Sequence, residues 1–205
     1  MSKINGIYAA GMSIFNDDLS LNIDKTILHA ENIIDQGCHG VAIFGSTGLA
    51  QLISIAEKIE LLNKLSKSKY KENYIIGTGL NSLVEIINYI KIGLSLNFKR
   101  FLVMPPAYYS YGDKEVIEFY SKIVVAVPDS EIILYNFEKL SGYKFSIDCI
   151  KKLVERFPKQ IIGVKDSSYN LFENLKLDNF SILPGTETKL LKGLEIGCSG
   201  IITAT

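Results

Sequence analysis

Short apolar runs rich in β-branched residues alternate along this chain with longer segments whose apolar residues recur three and four positions apart. The short runs predict β-strands, because glycine, proline or polar turn residues bound each of them. The longer segments predict amphipathic helices. The eight predicted strands cover residues 5–12, 40–45, 74–79, 100–105, 131–136, 160–166, 180–185 and 200–205. The six predicted helices cover residues 24–36, 54–68, 82–96, 114–127, 147–157 and 187–196.

Strict alternation of strand and helix predicts a parallel sheet, which can close into a barrel or remain an open doubly wound sheet. In a barrel the carboxyl ends of all strands meet on one face, so polar residues at those ends surround a single site. We therefore predict an α/β fold of the (β/α)8 TIM-barrel class. The polar residues at or just after the predicted strand ends are Ser46, Thr47, Thr78, Tyr108, Tyr135, Lys165, Thr186 and Glu187.

The length of the chain suggests one domain that is small for this fold. Its 205 residues are near the lower limit for an eightfold barrel, and we expect a single domain over residues 1–205. The eighth predicted strand ends at Thr205, so the sequence lacks the helix that would cover it. An uncovered strand exposes apolar surface. The expectation is a C-terminally truncated barrel, either a fragment or a chain that relies on an oligomeric partner.

Composition narrows the range of partners. The 22 basic and 22 acidic residues balance and form no long block of one sign, which argues against a nucleic-acid partner. Cys38, Cys149 and Cys198 are widely spaced and form no zinc or redox motif, so a reducing compartment fits best. No apolar run approaches the roughly 20 residues that cross a bilayer, and residues 1–15 match a secretory leader poorly. We expect a soluble cytoplasmic protein without a membrane partner or a metal.

The segment Ile161-Ile162-Gly163-Val164-Lys165-Asp166 places a lysine at the carboxyl end of a predicted buried strand. Only a neutral amine attacks a carbonyl, and desolvation inside a barrel disfavours the charged ammonium. Lys165 is therefore a candidate nucleophile. The alternative is that Lys165 forms an ion pair with Asp166 or with another carboxylate at the strand end.

Two further segments fit the same site. Tyr135 ends the strand that precedes the lysine strand, where a hydroxyl can transfer protons, although a core tyrosine is the simpler interpretation. Gly45-Ser46-Thr47-Gly48 follows the second strand, and its amides and hydroxyls can bind a carboxylate. An ordinary strand-to-helix turn has a similar composition, and the segment lacks the lysine of a P-loop.

Together these segments resemble the family of dihydrodipicolinate synthase and N-acetylneuraminate lyase, the pyruvate-dependent class I aldolases. The resemblance extends from Gly6 to Thr205, and the order of the motifs is more specific than any one of them. The matching segments are Gly45-Ser46-Thr47-Gly48, Pro105-Pro106-Ala107-Tyr108-Tyr109, Tyr135-Asn136, Gly163-Val164-Lys165 and Gly185-Thr186-Glu187.

The resemblance implies a catalytic role for each matching residue. Lys165 would form a Schiff base with a pyruvate-like 2-keto acid, and Tyr135 would transfer protons. Tyr108, from a neighbouring subunit, would complete a proton relay through Thr47, which implies a homodimer or homotetramer. No cofactor is implied, and the family's C-terminal helical extension is absent from the sequence. The residues implied in substrate binding are Ser46, Thr47, Gly185, Glu187 and Ile202.

Three departures from the family pattern bear on the substrate. Leu49 replaces the usual glutamate after the glycine-bounded turn, and Glu138 replaces a proline. Leu140 stands where synthases of the lysine pathway place an arginine, and the lyase branch tends to have leucine there. The expected activity is cleavage or synthesis of a 2-keto-3-deoxy sugar acid or a sialic-acid-like substrate.

Three alternatives remain open at this stage. The first is a synthase that condenses pyruvate with aspartate semialdehyde through the same lysine. The second is a non-catalytic protein that binds a keto acid, or a truncated relic, as the missing helix and Leu49 suggest. The third is an open α/β binding domain with an ion-paired lysine.

The remaining polar residues predict surface roles. His29 and His39 precede the second strand, which places them at the end of the barrel opposite the predicted site. The lysine-rich stretch from Lys58 to Lys71 is interpreted as a solvated face.

Overall fold

The computed structural model describes residues 4–204, in which parallel strands alternate with helices. Thr205, where the eighth strand was predicted to end, lies outside the described residues, as do residues 1–3 of the N-terminal stretch. The strands are β1 (Gly6–Ala10), β2 (Gly40–Ile43), β3 (Tyr74–Gly77), β4 (Arg100–Val103), β5 (Glu131–Asn136), β6 (Ile161–Asp166), β7 (Ser181–Pro184) and β8 (Gly200–Thr203). The helices are α1 (Ile23–Asp35), α2 (Ile55–Leu65), α3 (Leu83–Ser95), α4 (Asp113–Ala126), α5 (Glu138–Ser141), α6 (Ile147–Arg156) and α7 (Leu190–Glu195).

The eight strands form one parallel sheet that curls into a nearly closed barrel. Hydrogen-bonded neighbours follow the order β7-β6-β5-β4-β3-β2-β1-β8, so β7 and β8 are the two ends of the sheet. These ends are joined where the Ser199 amide donates to the Ile182 carbonyl at 3.0 Å. The Ile4 amide donates to the Ser181 hydroxyl at 3.0 Å and adds a second link. The predicted (β/α)8 TIM-barrel class is confirmed.

Two apolar cores lie on the two faces of the sheet. Because side chains alternate along a strand, every second residue faces the barrel interior. The interior core includes Ile75, Leu102, Ile133, Leu183 and Ile202. The larger outer core packs the helices against the strands. Both faces of the sheet are covered, which is why the strands are nearly continuous apolar runs.

All eight predicted strands and all six predicted helices are present, with ends that differ by up to a few residues. Asn22 caps α1, because its side chain accepts from the Lys25 amide. The one-turn helix α5 was not predicted. Within the described residues, no α-helix lies between β6 and β7, so a loop connects these two strands.

The interpretation of the stretch from Lys58 to Lys71 as a solvated face is wrong at its first residue. The side chain of Lys58 is completely buried, and its Nζ donates to the carbonyls of Thr78 at 2.9 Å and Gly79 at 3.2 Å. Burial lowers the pKa of Lys58 from 10.5 to about 8, although the carboxylate of Glu85 raises it. Lys58 therefore anchors the turn after β3. The sequence pattern did not predict the burial of Lys58, because a lysine in a lysine-rich stretch is expected to face water.

None of the helices in the described part of the chain is long and apolar enough to span a bilayer.

Candidate active site

Lys165 and Tyr135 lie side by side at the carboxyl ends of β6 and β5. The two strands pair in parallel, and the register sets Tyr135 directly opposite Lys165. Both side chains are buried, with 3% of Lys165 and 4% of Tyr135 exposed. The Lys165 Nζ lies 4.6 Å from the centroid of the Tyr135 ring. The backbone ladder thus holds a buried amine against a buried phenol.

Ser46 brings a second hydroxyl to this pair. Its Oγ lies 2.8 Å from the Tyr135 hydroxyl, and either atom can be the donor. Ser46 reaches this position because the chain turns sharply after β2, where Phe44 has a φ of +54°. Gly77 on β3 allows the turn, since a Cβ there would lie 2.2 Å from the Phe44 carbonyl oxygen. The hydroxyl pair therefore depends on close backbone approach between neighbouring strands.

Asp166 follows Lys165 but does not neutralise it. Its Oδ1 accepts from Asn136 Nδ2 at 2.7 Å and from the Tyr169 amide at 3.0 Å. Its Oδ2 accepts from the amides of Leu171 and Phe172, each at 2.9 Å. None of the ion pairs within 4.0 Å found among residues 4–204 includes Lys165. The alternative in which Lys165 pairs with Asp166 is excluded.

A cavity of about 570 Å³ opens at this face of the barrel. Its wall includes five of the residues that the sequence pointed to, which come from the ends of four different strands. Gathering of strand-end residues around one cavity is the arrangement expected for this fold. These five residues are Ser46, Thr47, Tyr135, Lys165 and Gly185.

Three predicted site residues are not part of the cavity wall. The side chain of Tyr108 is 91% exposed, and its ring packs edge-on against Tyr109. Glu187 Oε2 accepts from the hydroxyls of Thr186 at 3.2 Å and Thr203 at 3.0 Å. Ile202 is fully buried in the interior core.

Sequence reasoning missed the residues that form the outer wall of the cavity. They belong to the segment after β5 that includes the start of α5, to the loop after β6 and to the residue after β8, so strand periodicity does not predict them. The consecutive hydroxyl groups after Lys165 were the one available sign of a polar wall. The missed residues are Phe137, Glu138, Lys139, Ser167, Ser168, Tyr169 and Ala204.

A second, mostly apolar cavity of about 240 Å³ adjoins the first and shares Ser46 and Tyr135 with it. Leu49 and Leu140, two of the departures from the family pattern, both line this second cavity. The Ser46–Tyr135 hydroxyl pair therefore lies between two cavities, with the polar one on the side of Lys165 and the mostly apolar one on the other side.

The grouped functional atoms are an amine, a phenol and an aliphatic hydroxyl. This set can attack a carbonyl and move protons. Across residues 4–204, no three His, Cys, Asp or Glu side chains are grouped in a way that could hold a metal ion. The fold and the position of the cavity define a (β/α)8-barrel protein with a polar cavity at the carboxyl-end face.

Comparison with known proteins identifies the family. The model of the dihydrodipicolinate synthetase family matches residues 3–205, and the chain belongs to this family. An uncharacterized DapA-like lyase of Halobacterium salinarum is 26% identical over 206 residues, which are 98% of this chain and 67% of that protein. A 2-dehydro-3-deoxy-D-gluconate/2-dehydro-3-deoxy-phosphogluconate aldolase of Picrophilus torridus is 28% identical over 194 residues, covering 90% of this chain and 70% of that protein.

A solved structure from the same family has the same fold. The crystal structure of dihydrodipicolinate synthase from Agrobacterium tumefaciens superposes with a TM-score of 0.90 and 25% identity, covering 98% of this chain and 72% of that one. The relatives are named as a lyase, an aldolase and a synthase, so the chemistry of the family is that of aldolases and lyases.

Proposed function

We propose that this protein is a class I aldolase in which Lys165 forms a Schiff base with a pyruvate-like 2-keto acid. The observation that carries the proposal is the pairing of a buried lysine with a buried tyrosine whose hydroxyl contacts Ser46. Among the described residues, Lys165 has no carboxylate partner to hold its positive charge. Its amine faces the cavity in which a keto acid would bind, and an amine in that position can attack the keto carbon.

The mechanism follows from these three groups. The Lys165 amine attacks the 2-keto carbon, and loss of water gives an iminium ion. Tyr135 takes the proton of the substrate's C4 hydroxyl, and the electrons of the C3–C4 bond move into the iminium as an aldehyde leaves. The resulting enamine takes a proton at C3, and water then releases pyruvate and the free amine. The reverse sequence is an aldol condensation.

The turn after β2 supplies the binding site for the carboxylate of the keto acid. Ser46 and Thr47 line the same cavity as Lys165, and hydroxyls and backbone amides in such a turn bind anions. The Ser46 hydroxyl lies within hydrogen-bond distance of Tyr135, so it also connects the binding site to the proton-transfer group. Because Ser46 and not Thr47 contacts Tyr135, Ser46 takes the relay position that the family resemblance assigned to Thr47, and Thr47 binds the carboxylate.

A second copy of the chain completes the relay with Tyr108. The exposed rings of Tyr108 and Tyr109 are available to a partner, as are the exposed side chains of Leu49 and Leu52. The wall of the apolar cavity beside Ser46 and Tyr135 includes Leu49 and Leu52. A partner's loop placed there would exclude water from the hydroxyl pair. The proposal is therefore a homodimer or a larger even-numbered assembly.

The preferred substrate is a 2-keto-3-deoxy sugar acid or a related sialic-acid-like compound. Leu140 lines the apolar cavity and offers no charge for the carboxylate of aspartate semialdehyde. The aldolase from Picrophilus torridus supports the sugar-acid assignment, whereas the solved synthase supports the alternative. Assays with aspartate semialdehyde and with glyceraldehyde as the partner of pyruvate separate the two, and faster turnover of the semialdehyde would reverse the preference.

Trapping of the imine tests the function directly. Incubation with pyruvate and borohydride should add one pyruvate-derived group at Lys165, which peptide mass spectrometry locates. Lys165→Ala should lose the adduct while its circular dichroism spectrum stays unchanged, because the substitution removes a buried amine without removing a hydrogen-bond partner. Lys144→Ala is the matched control, since Lys144 forms an exposed ion pair with Glu138. An adduct that persists in Lys165→Ala contradicts the proposal.

A further inference from the structure

Tyr169 has a backbone conformation that tyrosine rarely adopts. It lies in the loop after β6 with a φ of +58°. For residues other than glycine this left-handed region costs about 1 kcal/mol or more, because the Cβ crowds the backbone. The ring also lines the 570 Å³ cavity beside Lys165. Strain at a cavity wall indicates that the surrounding structure holds the residue there.

The carboxylate of Asp166 holds Tyr169 in this conformation. Oδ1 accepts from the Tyr169 amide, while Oδ2 accepts from the amides of the two residues that end the turn. Asn136 donates one amide group to both Asp166 and Asn170, at 2.7 and 2.8 Å. Asp166 and Asn136 are completely buried, so these bonds are shielded from water. The loop is therefore fixed to the same strand ends that carry Lys165 and Tyr135.

Packing does not account for a tyrosine at this position. Its side chain is 40% exposed and faces the cavity, so the ring adds little to the core. A glycine would adopt the same φ without strain. Burial raises the pKa of the Tyr169 hydroxyl and the Asp166 carboxylate raises it further, while a hydrogen bond with the Thr186 side chain lowers it; the phenol, like any tyrosine with a raised pKa, is neutral at physiological pH. What the ring supplies is a neutral hydroxyl and bulk at the outer wall of the cavity.

The neighbours of Tyr169 in the wall indicate an uncharged, hydroxylated ligand. Ser167 and Ser168 add two more hydroxyl-bearing side chains to the same loop. Glu138 and Lys139, at the start of α5, line the same cavity and have opposite charges. The Glu138 carboxylate already forms an ion pair with Lys144 at 3.0 Å. Hydroxyl groups can donate to and accept from the hydroxyls of a substrate.

We infer that Tyr169 determines which aldehyde the enzyme accepts: it hydrogen-bonds a hydroxyl of a short hydroxyaldehyde such as glyceraldehyde and blocks longer chains. This inference rests on the proposed aldolase function. Asp166 acts through Tyr169 as a positioning residue. A site that bonds a substrate hydroxyl discriminates against an analogue without it, because the analogue forms one hydrogen bond fewer.

The test compares three aldehydes, each with pyruvate: glyceraldehyde, propanal and the longer aldose erythrose. Tyr169→Phe should lower kcat/KM for glyceraldehyde about tenfold, the effect of one lost hydrogen bond, and leave propanal unchanged. Tyr169→Gly should show the same loss with glyceraldehyde and a gain with erythrose. Its resistance to urea should equal or exceed that of the wild type, because glycine relieves the strained φ.

The controls separate failure of this inference from failure of the proposed function. Tyr70→Phe removes a tyrosine hydroxyl that bonds Asp35 outside the cavity, and it should leave all three rates unchanged. Both Tyr169 variants should still form the borohydride-trapped pyruvate adduct at Lys165. If the wild type forms no adduct, both proposals fall. If the adduct forms but aldehyde preference is the same in wild type and variants, only the role of Tyr169 is overturned. If the adduct forms and no aldehyde reacts, the aldolase function is overturned together with the role of Tyr169.

Discussion

Two lysines are buried among residues 4–204, and their surroundings differ. The Lys58 amine donates to two backbone carbonyls, so it is bound within the protein and has no access to a ligand. The Lys165 amine faces a cavity and the ring of Tyr135. Burial therefore does not by itself identify a reactive lysine. The difference lies in whether the nitrogen has partners within the protein or space for a substrate.

The pH dependence of stability should reveal the buried Lys58. The folded chain loses the Lys58 proton near pH 8, whereas an unfolded chain keeps it to about 10.5. Between these values the unfolded state binds more protons, so the free energy of unfolding should rise with pH, by up to about 3 kcal/mol. Urea unfolding of wild type and Lys58→Met at pH 7, 8, 9 and 10 measures this contribution. A difference between the two proteins that stays constant over this range would contradict it.

At the scale of single residues, the sequence predicted a site residue where a strand pattern ended in a polar side chain. Lys165 and Tyr135 follow apolar runs, and the structure brings them together. Tyr169 could not be predicted, because its position depends on four hydrogen bonds to Asp166 that form only in the folded loop. Lys58 was misassigned because its carbonyl partners belong to another element.

Strands β2 and β3 control the position of Ser46. The Cα hydrogens of Gly77 face the carbonyl of Phe44, whose left-handed backbone turns the chain toward Tyr135. The contact between the Ser46 and Tyr135 hydroxyls therefore depends on the close approach of the Gly77 backbone to the Phe44 backbone.

Gly77→Ala should displace this turn. A Cβ placed 2.2 Å from a carbonyl oxygen forces the backbone of Phe44 to move. We expect a loss of about 1–3 kcal/mol in stability, as overpacking typically gives, and a fall in kcat because Ser46 moves away from Tyr135. Gly193→Ala in α7 is the control, since a Cβ there makes only ordinary contacts of 3.4 Å or more. Thermal unfolding and steady-state rates measure both effects, and equal values for the two variants would exclude the role of Gly77.

Secondary structure was predicted well because the pattern of apolar residues differs clearly between the strands and the long helices. The strands have apolar residues on both faces, and the helices have one apolar stripe. The single turn of α5 is too short to show a helical period. The ends of strands were predicted too long, because residues such as Gly45 and Gly79 continue the apolar composition after the ladder has stopped.

At the scale of the whole molecule, the proposed dimer assigns each active site to two chains. Tyr108 would serve the partner's Lys165, so Lys165→Ala and Tyr108→Phe remove groups from different subunits. Mixing the two weakly active variants after mild dissociation should restore activity, with about a quarter of all sites intact in a random 1:1 mixture of dimers. A mixture of Lys165→Ala with Tyr135→Phe is the control. Lys165 and Tyr135 are proposed to act in the same subunit, so no site in a mixed dimer has both groups. The mixture should therefore show no more activity than the Tyr135→Phe variant alone contributes.

Size-exclusion chromatography with light scattering provides the independent measurement. A protein that is monomeric at the assay concentration, yet fully active, would remove Tyr108 from the mechanism. A Tyr108→Phe variant with normal kcat would do the same.

The register between β5 and β6 sets Tyr135 opposite Lys165 through peptide groups alone. The spacing between nitrogen and phenol is thus encoded in the sheet, while most of the outer wall of the cavity comes from the segments that follow β5 and β6. An engineer who wishes to change the acceptor can exchange those segments and leave the bond-forming atoms where they are. The proposed reactive groups at the strand ends and the proposed selectivity residues in the following segments can therefore be changed independently.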